Sequence, residues 1–191
     1  MLEFNFSPFP ELTFGRLLLR QVNTGDAPQL LYLRSSEQVM QYIDRPRAKT
    51  VEDALEVVQK MDEGIASNET INWAITLRGN PELIGTIGYV RSQRANHRAE
   101  IGYMLHPDYH RQGIMQEAIS AVIQYGFDGM KLHSIEANIN PGNTASMKIL
   151  EKNGFVREAY FRENFYFEGK FLDTFIYSLL RNAFVNQGFR K

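Results

Sequence analysis

The sequence has no cysteine among its 191 residues. This absence excludes disulfide bonds, thiolate zinc sites and a cysteine nucleophile, and it fits a reducing cytoplasm, where we expect the protein. An excess of charge of one sign is also lacking, since 21 Lys and Arg residues stand against 22 Asp and Glu residues. The resulting net charge of −1 predicts no general attraction to nucleic acid or to a membrane surface.

Long hydrophobic runs are absent as well. No stretch approaches the roughly 18 consecutive apolar residues of a transmembrane helix. The N-terminal residues carry an early acid, Glu3, and no basic region ahead of an apolar one. We therefore expect neither a membrane span nor a signal peptide. Ligand spacing typical of a metal site is missing too, and no metal is expected. The four histidines, which stand apart from one another, are His97, His106, His110 and His133.

What the chain does contain is typical of a globular protein. It is 43% hydrophobic and 23% charged, and its length suits one domain better than two. No repeat, low-complexity run or Pro/Ser-rich linker divides it. We predict a single mixed α/β domain over residues 1–191.

Hydrophobic periodicity predicts alternating strands and helices. Helices are predicted to begin near residues 26, 50, 113 and 143, and the second of these has a capping box formed by Thr50 and Asp53. Strands are predicted over 12–22, 72–77, 83–90, 99–105 and 132–139, with a closing pair around the turn at 168–170. Residues 35–49 and 91–98 are predicted to be irregular. The aromatic residues of the closing strands are predicted to be core, with a homodimer surface as the alternative.

The stretch from Glu100 to Ala118 organises the chain. Ile101, Tyr103 and Leu105 alternate as in a strand, and a helical period begins after Gly113. The turn between them, residues 110–115, contains a glycine and an arginine ahead of a helix N-terminus. Free backbone N–H groups, a helix N-terminus and an arginine together favour a pyrophosphate site, although most such turns bind nothing.

A second segment, Asn140–Phe155, follows at a spacing that adds specificity. It reads Asn143-x-x-Ser146, then Glu-Lys-x-Gly-Phe. With both segments in view, the chain resembles the GCN5-related N-acetyltransferase superfamily, and within it the RimJ/RimL-like branch that acetylates ribosomal protein N-termini. The resemblance implies an α/β (α+β) fold, with a mixed, mostly antiparallel sheet of about seven strands flanked by about four helices. It also implies acetyl-CoA as cosubstrate.

The resemblance assigns coenzyme contacts to particular residues. The first segment looks like the family's Gln/Arg-x-x-Gly-x-Gly/Ala pyrophosphate loop, with His110 at the first position and Met115 at the last as departures. Met104 and Leu105 are expected to pair with the pantetheine amides, and one of them to present the oxyanion donor. Asn143 and Ser146 are expected on the pantetheine side. The implied pyrophosphate residues are His110, Arg111, Gln112, Gly113, Ile114 and Met115.

Two catalytic candidates follow from the resemblance. Glu100 stands on the central strand where the superfamily often carries a catalytic glutamate; the alternative is a solvated glutamate or the partner of an arginine. Many members carry a tyrosine four residues before the Gly-Phe pair, where this chain has Leu150. Ser146 is the branch's substitute, or else an ordinary helix residue. A further carboxylate is not in register, although Glu163 is near.

Three functions remain open from the sequence. An α-amino group has a pKa of about 7.7–8.0 and lysine about 10.4, so a site with an uncertain base suits an α-amine better. The first function is therefore acetylation of a protein N-terminus, such as that of a ribosomal protein. The second is acetylation of a small amine, such as a polyamine, an amino acid or an antibiotic. The third is coenzyme A binding without turnover. No direct contact with nucleic acid is expected.

Overall fold

The computed structural model describes residues 2–186. Among these residues there are eight strands: β1 Leu12–Phe14, β2 Leu17–Gln21, β3 Ile71–Leu77, β4 Asn80–Gln93, β5 Arg98–Leu105, β6 Ser134–Ile139, β7 Val156–Phe167 and β8 Lys170–Leu180. The six helices of the same residues are α1 Ala27–Ser35, α2 Glu37–Met40, α3 Val51–Ala66, α4 Ile114–Asp128, α5 Thr144–Lys152 and α6 Arg181–Asn186. The predicted domain over 1–191 stays a prediction, and residues 1 and 187–191 lie outside the described range.

The eight strands form one mixed sheet in the order β1-β2-β3-β4-β5-β6-β8-β7. Neighbouring strands run antiparallel, with the exception of β5 and β6, which are parallel and are joined by the crossover helix α4. The predicted α/β class with a mostly antiparallel mixed sheet is confirmed, with eight strands where about seven were expected. The extra helices are the short α2 and α6.

Helices cover both faces of the sheet. The apolar face of α4, which includes Ala118, Ile119 and Val122, packs on the larger core cluster together with Trp73 and Tyr89. Helices α1 and α3 pack on the other face in a smaller cluster. No helix within residues 2–186 is long and apolar enough to cross a membrane.

The predicted capping box of α3 is confirmed. Thr50 Oγ1 accepts a hydrogen bond from Asp53 N (3.2 Å) and the Asp53 carboxylate accepts one from Thr50 N (3.1 Å), so α3 begins with the predicted capping box. Helix α5 ends at Lys152 with Asn153 as its C-cap residue, and Gly154 follows with a φ of +83°.

Three predictions of local structure are wrong. The segment predicted to be irregular over 35–49 contains the short helix α2, Glu37–Met40. The single strand predicted over 12–22 is a hairpin, because Gly15 adopts a φ of +54° and turns the chain between β1 and β2. The loop predicted over 91–98 is largely ordered, since β4 continues to Gln93 and a short 3-10 turn, Arg94–Asn96, leads into β5. Residues 91–93 are polar, but their backbones continue to pair with β5, so they belong to the strand.

The prediction that the closing aromatics are core is wrong for the distal part of the β7–β8 hairpin. β7 is an edge strand, and the pairing of β6 with β8 ends at Phe175, so the hairpin tip projects beyond the sheet. Phe155, immediately before β7, and Tyr177, in β8, are buried as predicted. The aromatic side chains with 43% to 65% exposure are Tyr160, Phe161, Phe165, Tyr166 and Phe171.

Candidate active site

An opening in the sheet lies between β5 and β6. The two strands pair only from Arg98 to Glu100, and beyond that point their backbones diverge. His106 N donates to Ile84 O (2.8 Å), so the alternation of the antiparallel ladder turns the peptide groups of Leu105 and Tyr103 away from β4 and toward the opening. The cleft therefore has an unpaired strand edge as one wall, where an extended ligand could add backbone hydrogen bonds.

The register distinguishes the two residues predicted to meet the pantetheine arm. Leu105 presents its peptide group to the opening, and its carbonyl accepts a hydrogen bond from His110 Nε2 (3.0 Å). Met104 pairs with Thr86 in β4, and its side chain packs beside the α1–α3 cluster. The backbone N–H groups that face the cleft are therefore those of Tyr103 and Leu105, and the N–H group of Met104 faces β4.

The loop between β5 and α4 ends in a helix N-terminus that has no side-chain cap. Arg111 and Gly113 both have positive φ values, +60° and +77°. Gly113 is the N-cap residue of α4 and supplies no side-chain acceptor, so the first-turn N–H groups of the helix keep their hydrogen-bonding capacity. Such a turn can hold an anion.

Both departures of this loop from the family pattern have a structural account. The Met115 side chain is buried in the α4 core, so its bulk lies away from the exposed face of the loop. The His110 ring is bonded to the Leu105 carbonyl and braces the loop against β5. Gln112 Nε2 makes a second brace by donating to Asp108 O (2.6 Å).

Arg16, in the β1–β2 turn, holds the same loop from the opposite side. Its Nε donates to Glu117 Oε1 (2.8 Å), and its Nη2 donates to the carbonyl of Gln112. Glu117 Oε2 also accepts from Arg16 N (3.2 Å). Sequence reasoning placed Arg16 only on the opening strand, because its partners lie about a hundred residues away along the chain.

Glu100 lies at the point where β5 and β6 part. Its side chain is 16% exposed, and its Oε2 is 3.5 Å from Arg91 Nη1, whose side chain is 70% exposed. Burial raises the pKa of the Glu100 carboxyl, while Arg91 and the neighbouring side chain of Asn138 act in the opposite direction. A carboxylate with a raised pKa, close to solvent, has the properties of a general base.

Ser146 lies on the other side of the opening, in the first turn of α5. Asn143 is the N-cap of that helix, and its Oδ1 accepts from Ser146 N (3.0 Å). The hydroxyl of Tyr103 is buried beside Ser146 and makes no well-aligned hydrogen bond. Burial raises the pKa of Tyr103 to about 12, so this phenol keeps its proton at neutral pH. Leu150 is fully buried.

The two catalytic candidates approach the opening from opposite faces of the sheet. Glu100 and Met104 lie on the face covered by α1 and α3, whereas Tyr103 lies on the α4 face, because side chains alternate along β5. A group held in the plane of the sheet would have the carboxylate of Glu100 on one side and the hydroxyls of Tyr103 and Ser146 on the other.

Sequence reasoning missed several polar residues of this site. Tyr103 was counted only as an apolar residue of the predicted strand. A hydroxyl among the inward-facing residues of that strand could have indicated a site residue. Asn138 and Arg91 approach Glu100 from neighbouring strands, which only the sheet order reveals. Within the described residues, no group of three or more His, Cys, Asp or Glu residues could hold a metal ion.

A sheet with an unpaired strand edge that leads to an uncapped helix N-terminus is suited to an extended ligand that carries an anion. Residues 16–156 match the family described as "Acetyltransferase (GNAT) domain". This chain belongs to the GNAT acetyltransferase family and is an N-acetyltransferase, which confirms the resemblance seen in the two sequence segments.

Curated relatives span the chain. The uncharacterized N-acetyltransferase YoaA of Bacillus subtilis (strain 168) is 35% identical over 173 residues, which is 91% of this chain and 98% of that protein. The spermidine N(1)-acetyltransferase of Vibrio cholerae is 22% identical over 173 residues, also 91% of this chain and 98% of that protein.

Solved structures agree with the fold. A GNAT-family acetyltransferase from Bacillus anthracis superposes with a TM-score of 0.80 at 31% identity, covering 91% of this chain and 99% of that one. The ribosomal L7/L12 α-N-protein acetyltransferase RimL, solved in complex with coenzyme A, gives a TM-score of 0.82 at 21% identity, with the same coverage. At that identity the second comparison supports the fold alone.

Proposed function

We propose that this N-acetyltransferase binds acetyl-CoA in the opening between β5 and β6 and transfers the acetyl group to a protein N-terminal α-amine. The observation that carries the proposal is the position of an uncapped α4 N-terminus at the end of an unpaired strand edge. The N–H groups of residues 111–115 would bind the pyrophosphate, and the peptide groups of Leu105 and Tyr103 would meet the pantetheine amides. One of these strand N–H groups would serve as the oxyanion donor.

The proton transfers can be assigned to residues on the two faces. The amine nitrogen forms a bond to the thioester carbonyl carbon, the carbon–sulfur bond breaks, and the nitrogen loses a proton. Glu100 would accept that proton, directly or through a water molecule. Ser146 and Tyr103, whose hydroxyls lie close together and stay protonated, would supply a proton or a hydrogen bond to the departing thiolate.

The acceptor is inferred from the acid–base properties of the site. At neutral pH an α-amine, with a pKa of about 7.7–8.0, is already partly neutral, whereas a lysine, at about 10.4, needs about 3 kcal/mol more to lose its proton. Arg91 opposes the rise that burial causes in the pKa of Glu100, so the base gains less strength than burial alone would give, and this favours the amine with the lower pKa.

A polyamine is the second candidate, because a spermidine acetyltransferase is among the relatives. A polycation would need carboxylates around the acceptor. Near Glu100 the cations are Arg91 and Arg45, while Glu136 is already paired with Arg98 at 2.6 Å. This balance of charge favours an acceptor other than a polycation.

Two measurements separate these proposals from coenzyme binding without turnover. Thermal shift with acetyl-CoA and with CoA tests binding, and release of the CoA thiol tests transfer to three acceptors: a free peptide, the same peptide with a blocked N-terminus and an internal lysine, and spermidine. We expect a shift with both nucleotides and release only with the free peptide. Equal turnover of the blocked peptide or of spermidine would refute the α-amine. A shift without release on any amine would leave a binding module.

Two further expectations belong to this proposal. The lack of cysteine supports a cytoplasmic location. The exposed aromatic side chains on the edge hairpin β7–β8 support a homodimer surface, because monomers rarely leave large contiguous apolar patches open. Size-exclusion chromatography with light scattering tests the second expectation.

A further inference from the structure

An arginine without a partner lies beneath the loop that faces Glu100. Arg34, at the end of α1, is partly buried, and its Nε is inaccessible to solvent. Within residues 2–186 the Arg34 side chain makes no ion pair or hydrogen bond. A buried guanidinium loses hydration, and proteins ordinarily compensate that loss with a carboxylate or an acceptor.

A second unpaired arginine lies beside the first. The charge of Arg45 adds to burial in lowering the pKa of Arg34, and the same charge acts on Glu100. Arg45 therefore lies close enough to influence both the buried guanidinium and the candidate base. The neighbouring acid, Asp44, forms no ion pair within the described residues and does not neutralise either arginine.

The loop carrying Arg45 borders the cleft. Ala48 N donates to Arg34 O (3.2 Å), which ties the loop to α1. Tyr42 packs against Gly142, where an added Cβ would come within 2.9 Å of the ring, so the loop also reaches the connection between β6 and α5. Arg45 thus lies near Glu100, on a loop that is tied to Arg34 of α1.

The length of β5 separates Glu100, and the arginine that acts on it, from the proposed pyrophosphate loop. Strand β5 continues from Glu100 to Leu105 before the proposed pyrophosphate loop begins. At about 3.3 Å per residue, this length places the loop more than roughly 15 Å from Glu100 along the strand. An anion bound by Arg45 close to Glu100 would therefore enter with the acceptor.

We propose that Arg34 and Arg45 form an anion subsite that binds a carboxylate carried by the amine acceptor. This inference rests on the proposed acetyl transfer at Glu100. The carboxylate can be the side chain of an acidic residue near a polypeptide N-terminus or the α-carboxylate of a free amino acid. Both present two oxygens that match the donor fork of a guanidinium.

The test compares acceptors that differ only in charge. The peptide pair is Ser-Asp-Ala-Ala-amide with Ser-Asn-Ala-Ala-amide, together with versions carrying Asp or Asn at the third position, and the amino-acid pair is serine with serinamide. We expect a carboxylate of one source to raise kcat/KM by roughly 10- to 100-fold through KM, the effect typical of a charge-assisted hydrogen bond. Equal kcat/KM within every pair would overturn the proposal.

Three variants test which arginine causes the preference for acceptors with a carboxylate. Arg34→Gln and Arg45→Gln should each reduce the charge preference to about threefold or less. Arg47→Gln is the matched control, because Arg47 lies on the same loop, is exposed and pairs with Glu37 at 3.9 Å. It should keep the full preference. A preference that survives in both Arg34→Gln and Arg45→Gln would contradict the assignment. Thermal melting and affinity for CoA confirm that each variant is folded, and Arg45, being exposed, provides the variant less dependent on packing.

A binding experiment separates this inference from the proposed function. The Nα-acetylated forms of the peptide pairs and of the amino-acid pair are titrated by calorimetry into the protein saturated with CoA, which needs no turnover. Tighter binding of a carboxylate form, lost in Arg45→Gln, would uphold the subsite even if no amine were acetylated. Equal binding within every pair, together with normal acetylation of the amide acceptors, would refute the subsite and leave the transferase proposal intact.

Discussion

Replacing Glu100 with glutamine is expected to slow acetyl transfer and to leave the fold at least as stable near neutral pH. The activity loss should be about 10²- to 10⁴-fold in kcat/KM, the usual contribution of a general base. The stability prediction follows from the surroundings of the carboxylate. Its partner Arg91 is 70% exposed, so solvent screens the ion pair, and such pairs contribute about 0–1 kcal/mol. Glutamine avoids burial of a charge and keeps the side-chain shape.

The pH dependence has a defined sign. Burial raises the pKa of Glu100, so the folded protein holds this proton more tightly than the unfolded chain does. The resulting stabilisation is fully present below the unfolded pKa of about 4.3 and is lost as pH rises through the folded pKa. Ionised Glu100 at pH 7.5 is therefore the destabilising state, and Glu100→Gln removes it.

Two assays test this reasoning together. Initial rates over pH 5–9 should show an acidic limb of kcat/KM in the wild-type protein, above the ordinary glutamate range, that is missing in Glu100→Gln. Urea denaturation at pH 7.5 should show equal or higher stability of the variant. A loss of more than about 1 kcal/mol would refute the account of the ion pair. Activity within twofold of the wild type would refute the role of Glu100 as base.

Three further substitutions address the frame of the site. Arg16→Gln should weaken CoA binding about three- to tenfold by calorimetry, because the loop between β5 and α4 loses a charged hydrogen bond to the Gln112 carbonyl. Unchanged affinity would show that Arg16 is not needed to hold this loop. Gly126→Ala should cost about 1–3 kcal/mol in urea, since its Cβ would overlap the Tyr89 hydroxyl that donates to Val122 O (2.8 Å), and Tyr89→Phe in the same chain should restore part of it. Thr50→Ala should cost about 1 kcal/mol through loss of the α3 cap, and no change in denaturation midpoint would disprove that cap's contribution.

The features of the fold that the sequence predicted correctly are those encoded by local patterns. The alternation along β5, the helical period of α4 and the capping box of α3 each depend on a few adjacent residues, and all three are confirmed. The hairpin at Gly15 was missed because apolar residues continue on both sides of it. Periodicity likewise identified the β7 and β8 strands, but it carries no information on whether another element covers them.

The candidate site likewise has a part that local sequence predicts and a part that depends on the fold. The loop and the α5 N-terminus are contiguous segments, so the sequence predicted them by their spacing. The positions of Glu100 and Ser146 on opposite faces of the sheet depend on which side chains of β5 point to each face and on the order of strands in the sheet. Arg45 comes close to both Arg34 and Glu100 only through the packing of its loop, which no local sequence pattern predicts.

Amide protection measured by NMR tests the central claim most directly. The backbone N–H signals of residues 111–115 and of Leu105 are followed in the free protein and in the presence of saturating CoA. We predict that these amides shift and gain protection from solvent exchange on binding, since the coenzyme would occupy the α4 N-terminus and the β5 edge. CoA binding that leaves these amides unchanged while protecting another surface would contradict the proposed site.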